Sequence, residues 1–295
     1  MGRKIRGLHH ITGITADVKK NKGFYTDVLG LRFLKKTINQ DDPGTYHLYY
    51  GDYEGSAGHI MTFFGYEGSR RGRKGTGQTT RVTYYIPLNS ADYWKKRLKE
   101  KNISIDETNK DRVIFQDPDG LELELLEKEL SLKGWAEIIP EKYAITKFGG
   151  VTINSENPEE TKAMLENIFG FKKINDEDYE TEQKEIIRVK KIGSPGSIGA
   201  GSIHHVAWTT DNPETQIKDR EALLENDVQV TEVVERMYFK SIYFREPGHS
   251  LFEIATNGPG FTVDEPVETL GEKLVLPPWY EHLRERIEKH LPELS

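Results

Sequence analysis

The feature that most constrains this chain is an internal repeat. Residues 10–31 align without a gap on residues 150–171. In both copies an alternating apolar run is followed by an apolar i, i+3, i+4 stripe that stops at a glycine, Gly30 or Gly170. This pattern predicts a strand, an amphipathic helix and a left-handed helix cap in each copy. Self-similarity of this kind indicates a fold built from repeated supersecondary units.

A looser second repeat completes each unit. A strand at 81–84, a helix ending near Leu98 and a turn-linked strand pair ending at 121–125 recur downstream, where the strands are 205–208 and 251–254. Each module is therefore predicted to contain a strand, a helix and about three further strands. We predict an α+β fold of four βαβββ modules in two tandem domains, with the seam near 133–146. The predicted divisions are an N-terminal domain at 1–136, a C-terminal domain at 147–256 and a tail at 257–295.

Composition excludes several classes of function. The 295 residues contain no cysteine, which rules out a disulfide framework, a thiolate nucleophile and any metal site with sulfur ligands. A net charge of -7 argues against nucleic acid as a partner, and the basic cluster at 70–74 is interpreted as a solvated mobile loop. Since no stretch has the roughly 20 apolar residues of a membrane span, we expect a cytoplasmic protein without a membrane partner.

Several short motifs make the repeat more specific. Repeated strand-helix-strand modules of this kind resemble the vicinal-oxygen-chelate superfamily of glyoxalases, fosfomycin-resistance proteins and extradiol dioxygenases. Within it, the chain is similar over essentially its whole length to ring-cleaving dioxygenases of the hydroquinone-dioxygenase type. The resemblance implies two glyoxalase/dioxygenase-like domains, a small aromatic substrate and O2. The motifs that carry it are Leu-His-His-Ile-Thr-Gly at 8–13, Ser-Ile-His-His-Val-Ala at 202–207, Arg-Glu-Pro-Gly at 245–248, Phe-Glu-Ile at 252–254 and the tail at 276–292.

Three repeat-aligned positions predict a metal site. His10, His205 and Glu253 are the two-histidine, one-carboxylate set that typically holds non-haem Fe(II) and leaves coordination positions open. The alternative for a single strand histidine is a packed core residue, but here two occupy homologous positions. Fe(II) is the expected cofactor, with Mn, Zn or Ni conceivable in a purified sample. Because His10 belongs to module one and the other two to module four, these modules have to face each other.

The other pair of modules provides an internal comparison. The positions that correspond to the metal ligands there are Gly150, Arg81 and Glu124, so only the carboxylate remains. We therefore expect modules two and three to form a structural cleft without a metal. In the predicted active cleft, Thr62 stands near the place of a fourth ligand of glyoxalase-like relatives. Threonine is a poor ligand, so three ligands would leave room for a substrate oxygen and O2 together.

The resemblance also implies three catalytic residues. Tyr243 occupies the position of an active-site tyrosine, His204 that of an acid–base or oxygen-stabilising group, and Arg236 that of a cleft arginine. Strict strand alternation instead points His9 and His204 away from the metal, unless a bulge turns them inward. Whether these two histidines and Thr12 face the cleft stays open at this point.

These observations favour an Fe(II)-dependent extradiol-type dioxygenase that cleaves the ring of a hydroquinone or catechol-like aromatic. One alternative is a glyoxalase-type metal-dependent lyase or isomerase, and another is a non-catalytic aromatic- or drug-binding protein on the same scaffold. A homo-oligomer is also left open. The tail predicts an amphipathic helix from Pro278, packed on a sheet or on a second subunit. The remaining histidines have no aligned partner and are expected to be exposed: His47, His59, His249, His282 and His290.

Overall fold

A computed structural model describes residues 5–106, 108 and 110–294. The first two modules fill the N-terminal half of the chain, and each has the predicted strand-helix-strand order. Module one comprises β1 (Leu8–Thr15), α1 (Val18–Gly23, continued by a π-helical turn at Phe24–Val28), β2 (Arg32–Asn39), β3 (Asp42–Gly51) and β4 (Ile60–Gly65). Module two comprises β5 (Gln78–Ile86), α2 (Ala91–Glu100), β6 (Ile105–Asp106), β7 (Arg112–Gln116) and β8 (Glu122–Glu127).

The second half repeats this order. Module three comprises β9 (Lys147–Ser155), α3 (Pro158–Ala163, continued by a π-helical turn at Met164–Ile168), β10 (Lys172–Lys173), β11 (Asp178–Glu180) and β12 (Ile186–Lys191). Module four comprises β13 (Ile203–Thr210), α4 (Pro213–Glu225), β14 (Val234–Glu235), β15 (Lys240–Arg245) and β16 (Leu251–Thr256). The predicted α+β class with four modules is confirmed. The predicted left-handed caps are confirmed too, because Gly30 and Gly170 both have φ of 72°.

The strands form two mixed eight-stranded sheets that cut across the order of the chain. Sheet one joins modules four and one in the order β14-β15-β16-β13-β1-β4-β3-β2. Sheet two joins modules three and two in the order β10-β11-β12-β9-β5-β8-β7-β6. Modules one and four therefore share a sheet through antiparallel pairing of β1 with β13, as the ligand prediction required. The divisions at 136, 147 and 256 stay predictions as domain boundaries.

Alternation along the strands separates a core face from a cavity face. On β3, Leu48 and Tyr50 are buried in the main hydrophobic core, whereas His47 and Tyr49 line a cavity on the other face of sheet one. The same core contains Phe63 of β4 and Trp208 of β13. Burying large apolar groups on one face fixes the register, because a slip of one residue would move them to the wrong face.

The tail packs on module one. Its predicted helix begins as a 3-10 helix at Pro278–Leu283 and becomes α-helical only as α5 (Arg284–His290). Ile287 is buried against Ile38 and Leu276, as the amphipathic pattern predicts. Trp279, which the fourth-residue spacing of the predicted helix would place on the same apolar stripe as Ile287, is instead 47% exposed. The 3-10 turn shifts it out of register with the helix that follows.

A buried lysine ties the start of the tail to the same sheet. Lys35 of β2 is fully buried, and its Nζ lies 2.5 Å from both Asp264 Oδ1 and Glu265 Oε2. A buried ammonium is stable only when it is paired and hydrogen-bonded in this way.

The basic cluster at 70–74 is exposed, as predicted, but it is not an isolated loop. Arg71 and Arg73 form β-bridges with Ala200 and Ser197 of the glycine-rich segment that precedes β13. Within the described part of the chain, no helix is both long and apolar enough to cross a membrane.

Candidate metal centre

The structure brings His10, His205 and Glu253 together at the middle of sheet one. Their donor atoms all lie within 4.8 Å of one another, and all three residues are buried. Glu253 Oε2 is 3.1 Å from His205 Nε2 and 3.5 Å from His10 Nε2, and the two imidazole nitrogens are 3.2 Å apart. Three electron-pair donors from residues far apart in the sequence thus converge on one point.

This spacing fits a metal ion. Ligands bound at right angles with bonds of about 2.1 Å lie about 3.0 Å from each other. Glu253 Oε2 is also buried without a hydrogen bond of good geometry from the described residues, whereas its Oε1 accepts one from Ser241 Oγ. A buried carboxylate oxygen left without a donor is costly unless a cation completes it.

The electrostatics keep the carboxylate charged. Burial alone would raise the pKa of Glu253, but the adjacent His10 and His205 rings hold it well below its usual range. Burial lowers the pKa of His205; the Glu253 carboxylate opposes this shift, and the neighbouring His10 adds a smaller lowering. An ionised carboxylate beside a neutral imidazole is the protonation state in which these groups bind a metal.

Strand register explains the convergence. His10 of β1 pairs with Ala207 of β13, and Ala207 pairs in turn with Glu253 of β16. His205 lies two residues before Ala207, so its side chain leaves the same face of the sheet. The ligands therefore occupy neighbouring positions on three adjacent strands.

Two β-bulges bring the preceding histidines beside the ligands. The β1–β13 register skips one residue of β1 between Leu8 and His10, and one residue of β13 between His205 and Ile203. The extra residues are His9 and His204, so the bulge that the sequence analysis named as the exception to alternation is present at both positions. A bulge breaks alternation locally, and here it brings neighbouring rings into contact.

Each bulge histidine contacts the ligand that follows it. His9 Nδ1 is 2.9 Å from His10 Nδ1, and His204 Nδ1 is 2.8 Å from His205 Nδ1. His9 also hydrogen-bonds the Thr256 backbone, and burial, followed by the adjacent His10, lowers its pKa to about 3. A neutral His9 that donates to this carbonyl accepts from His10 Nδ1–H, which leaves the His10 Nε2 lone pair free.

His204 and His9 differ in what they face. His204 is exposed and lines the cavity, whereas His9 is buried and packs against the Phe239 ring 5.1 Å away. Thr12 is fully buried, and its Oγ1 lies 2.9 Å from Thr62 Oγ1.

Tyr243 and Arg236 form a coupled pair at the cavity wall. Arg236 Nε donates to Tyr243 Oη at 2.9 Å, and its two terminal nitrogens donate to Asp41 at 3.2 and 3.0 Å. Burial, followed by the Glu253 carboxylate, raises the pKa of Tyr243, so the phenol stays protonated. Asp41, which the sequence argument did not identify, thus anchors the arginine from the β2–β3 turn.

The cavity has a volume of about 420 Å³ and combines polar and aromatic walls. Its lining includes His47, which the sequence predicted to be exposed; His47 is instead partly buried beside Tyr49. The prediction failed because a histidine without a repeat-aligned histidine was treated as solvent-facing. The exposed positions predicted for His249, His282 and His290 are confirmed, whereas His59 is partly buried.

Comparisons with known proteins also point to a dioxygenase-related family. The family model of the Glyoxalase/Bleomycin resistance protein/Dioxygenase superfamily matches residues 7–125 and 147–254. "Putative ring-cleaving dioxygenase MhqO" of Bacillus subtilis is 41% identical, over 99% of this chain and 97% of that protein. "Chlorohydroquinone/hydroquinone 1,2-dioxygenase" of Sphingobium indicum is 27% identical, over 96% of this chain and 95% of that protein.

A solved structure extends the likeness to three dimensions. The crystal structure of a "putative dioxygenase" from Bacillus subtilis superposes with a TM-score of 0.96 at 40% identity, covering 100% of this chain and 99% of that one. The class predicted from sequence, an oxidoreductase of the ring-cleaving dioxygenase type, agrees with the names of these relatives.

Proposed function

Because the chain belongs to the Glyoxalase/Bleomycin resistance protein/Dioxygenase superfamily, we propose that it is an Fe(II)-dependent, extradiol-type dioxygenase that cleaves the ring of a hydroquinone or catechol-like aromatic. The observation that carries the proposal is the buried convergence of His10, His205 and Glu253 at 3.1–3.5 Å. Two imidazoles and one carboxylate, with no further ligand beside them among the described residues, favour non-haem Fe(II) over a closed structural site. The names of the relatives support the ring-cleaving chemistry and the aromatic substrate.

The ligand count argues against the lyase reading. Thr62 stands where a fourth ligand would come from, and its hydroxyl is engaged by Thr12 at 2.9 Å and by His47 at 2.7 Å. Fe(II) held by the three remaining ligands would supply open positions for a phenolate oxygen and for O2. The sequestration hypothesis gives no reason for a buried carboxylate oxygen that accepts no hydrogen bond of good geometry from the described residues.

Nearby side chains would manage protons and charge. The protonated Tyr243 phenol can donate to an oxygen on which negative charge develops, and Arg236 Nε, 2.9 Å from its Oη, would stabilise the phenolate that remains. His204 lines the cavity as a neutral imidazole, since burial, followed by the adjacent His205, lowers its pKa to about 3. It would accept a hydrogen bond from a substrate hydroxyl and take its proton only as negative charge develops there. The aromatic walls of Phe64 and Phe239 would pack against a ring and exclude water.

An oxygen electrode tests the proposal. Protein loaded anaerobically with Fe(II) is mixed with O2 and with hydroquinone, catechol or resorcinol in turn. We expect O2 uptake with hydroquinone or catechol, matched by loss of the aromatic absorbance. The control is His205→Ala treated with iron in the same way.

Two other outcomes would each contradict the proposal. Turnover of a hemithioacetal by the zinc- or nickel-loaded protein, with no O2 uptake by the iron-loaded protein, would contradict the proposal and favour the lyase. Aromatic binding without either reaction would favour a sequestering protein.

A further inference from the structure

An approximate twofold axis relates modules one and four in sheet one. The strand register identifies which residues of the two modules occupy equivalent positions. Thr12 pairs with Thr62 between β1 and β4, as Ala207 pairs with Glu253 between β13 and β16. On the outer strands, Tyr49 pairs with Thr62 as Tyr243 pairs with Glu253. The matched positions are Thr62 with Glu253, Tyr49 with Tyr243, and His47 with Ser241.

The matched groups make parallel contacts. Ser241 Oγ donates to Glu253 Oε1 on the metal side of the cavity. His47, in the matching position, has its Nε2 2.7 Å from Thr62 Oγ1. The module-one half of the site thus keeps the layout of the module-four half but carries neutral groups in place of the metal-binding carboxylate.

A continuous hydrogen-bond chain runs along this half. Tyr49 Oη lies 2.8 Å from His47 Nδ1, His47 Nε2 lies 2.7 Å from Thr62 Oγ1, and Thr62 Oγ1 lies 2.9 Å from Thr12 Oγ1. With both ring nitrogens engaged, a neutral His47 accepts at one and donates at the other. If Tyr49 donates to Nδ1, its oxygen keeps lone pairs that can accept a further hydrogen bond in the cavity.

The chemistry of a dihydroxybenzene calls for such an acceptor. The oxygens of a catechol are adjacent and can reach one metal ion together. Those of a hydroquinone lie at opposite ends of the ring, so only one can reach the metal while the other is buried elsewhere. A buried hydroxyl without a partner costs about 1–3 kcal/mol, so a site for hydroquinones needs a group for the distal oxygen.

Tyr49 is placed for this role. It lies on β3, three strands from His205 on β13 and therefore about 14 Å away along the sheet at backbone level. Tyr49 nevertheless lines the same cavity as His10, His205 and Glu253. The Tyr49 ring is fixed from behind by Phe261 of the tail, with ring centroids 5.1 Å apart.

We propose that Tyr49, oriented by His47, accepts a hydrogen bond from the distal hydroxyl of a para-dihydroxybenzene whose other oxygen is held at the metal centre. Tyr49 is then the specificity-determining residue, and His47 is its positioning residue. The pair selects hydroquinones over rings that lack a distal hydroxyl donor. This inference rests on the proposed function, since it assumes an aromatic oxygen at the metal.

Anaerobic binding separates this role from catalysis. Iron-loaded protein is titrated without O2 with hydroquinone and with 4-methoxyphenol, which keeps the para oxygen but cannot donate from it. The quantity measured is the ratio of the two dissociation constants. The wild type should prefer hydroquinone by about tenfold, the worth of one good hydrogen bond.

The variants then assign the effect. Tyr49→Phe should bring the ratio close to one, and His47→Leu should do the same because the phenol loses its orientation. His47→Gln should restore much of the preference, since an amide can accept from Tyr49 and donate to Thr62. Tyr50→Phe is the matched control: its hydroxyl donates to Asn21 at 2.8 Å on the core face of the same strand, so the ratio should not change.

Two failures are distinguishable. A wild type that consumes O2 with hydroquinone but shows a ratio of one, or a Tyr49→Phe variant that keeps the wild-type ratio, overturns this inference and leaves the proposed function standing. A wild type that neither binds nor oxidises any dihydroxybenzene overturns both.

Discussion

The two sheets share a backbone plan but differ in chemistry. Sheet two repeats the strand order of sheet one, and its central β5–β9 pair has matching register shifts, with Thr80 and Gly149 as the extra residues where sheet one has His204 and His9. Glu124 pairs with Thr83 as Glu253 pairs with Ala207. Among the described residues a group of potential metal ligands is found only in sheet one, so strand order, register and bulges are not sufficient for a candidate metal site.

In sheet two the carboxylate is paired with cations and a hydroxyl. Glu124 accepts hydrogen bonds from Thr83 Oγ1 at 2.7 Å and from Arg112 Nη1 at 3.1 Å. Arg81 Nη1 lies 4.0 Å from Glu124 Oε1, while Arg81 Nε binds Glu122 Oε1 at 2.5 Å. Glu124 is thus satisfied by its neighbours, whereas Glu253 Oε2 in sheet one accepts no hydrogen bond of good geometry from the described residues. What surrounds the glutamate decides whether it is available to a metal.

Gly150, the counterpart of His10, also excludes a ligand on steric grounds. Its φ is 143°, and a Cβ built there would lie 1.9 Å from the carbonyl oxygen of Ile186 on β12. No side chain fits that position without moving the backbone. The position that corresponds to His10 is therefore closed to an imidazole in sheet two by its backbone as well as by its sequence.

The largest expected contrast comes from the matched substitutions His205→Ala and Arg81→Ala. Loss of His205 removes a ligand, so turnover should fall by more than the roughly 10–100-fold typical of losing an outer-shell partner. Loss of Arg81 removes a partly exposed ion pair with Glu122 and should cost about 1 kcal/mol of stability or less, with turnover unchanged. Steady-state O2 uptake and thermal unfolding check the pair. Equal losses of turnover would contradict the distinction between the sheets.

Tyr243→Phe tests the wall of the active cavity without touching the ligands. Iron should still load, while kcat falls by about 10²–10⁴, the range for losing a positioned proton-transfer group. Iron content and single-turnover rates separate the two effects. If kcat is preserved in the folded fraction and only stability drops, Tyr243 is a packing residue.

Gly150→Ala tests the closed backbone of sheet two. The clash with the Ile186 carbonyl and the positive φ should lower the free energy of unfolding by about 3 kcal/mol or more. Gly193→Ala is the control, because a Cβ there meets no atom within 4 Å. Urea unfolding of the two variants measures the difference. A Gly150→Ala protein as stable as the control would mean that the β9–β12 pairing can relax and that sheet two is open to a ligand.

A smaller effect concerns Asp117, in the turn before β8 of sheet two. Burial raises its pKa to about 7, although hydrogen bonds from the Leu121 and Asp119 backbone and from Tyr25 oppose the shift. Because the unfolded value is near 3.8, the folded chain binds the extra proton between pH 4 and 7. Stability should therefore fall as pH rises through this window, by up to about 1.4 kcal/mol per pH unit.

Asp117→Asn should remove that slope. Unfolding curves at pH 5 and pH 7 for both proteins give the difference, in which the other titrating groups cancel. A wild type and a variant with parallel pH profiles would show that Asp117 is ionised throughout, as a solvated turn residue would be.

The features that could be predicted from the sequence are those that the internal repeat determines. The alignment of 10–31 with 150–171 was enough to predict the module order and the glycine caps, and the chain positions of His10, His205 and Glu253 required modules one and four to meet. The bulges at His9 and His204 could not be predicted, because a bulge is a property of the pairing between β1 and β13, nearly 200 residues apart.

His47 shows how a site residue was missed. Its counterpart is Ser241, so a search for repeated histidines does not find it. Strand alternation could have identified it, because His47 shares a strand face with Tyr49. Residues 47–49 correspond to residues 241–243, and Tyr243 is a predicted site residue. Asp41 carries no such signal, since its contact with Arg236 joins two loops of different modules.

Iron content per chain tests the central claim most directly. Wild type, Glu253→Gln and Glu124→Gln are loaded anaerobically with Fe(II), desalted and assayed for metal and protein. We predict one iron per chain in the wild type and in Glu124→Gln, and almost none in Glu253→Gln, because glutamine keeps the shape but removes the anionic ligand. Iron retained by Glu253→Gln, or lost from Glu124→Gln, would contradict the account.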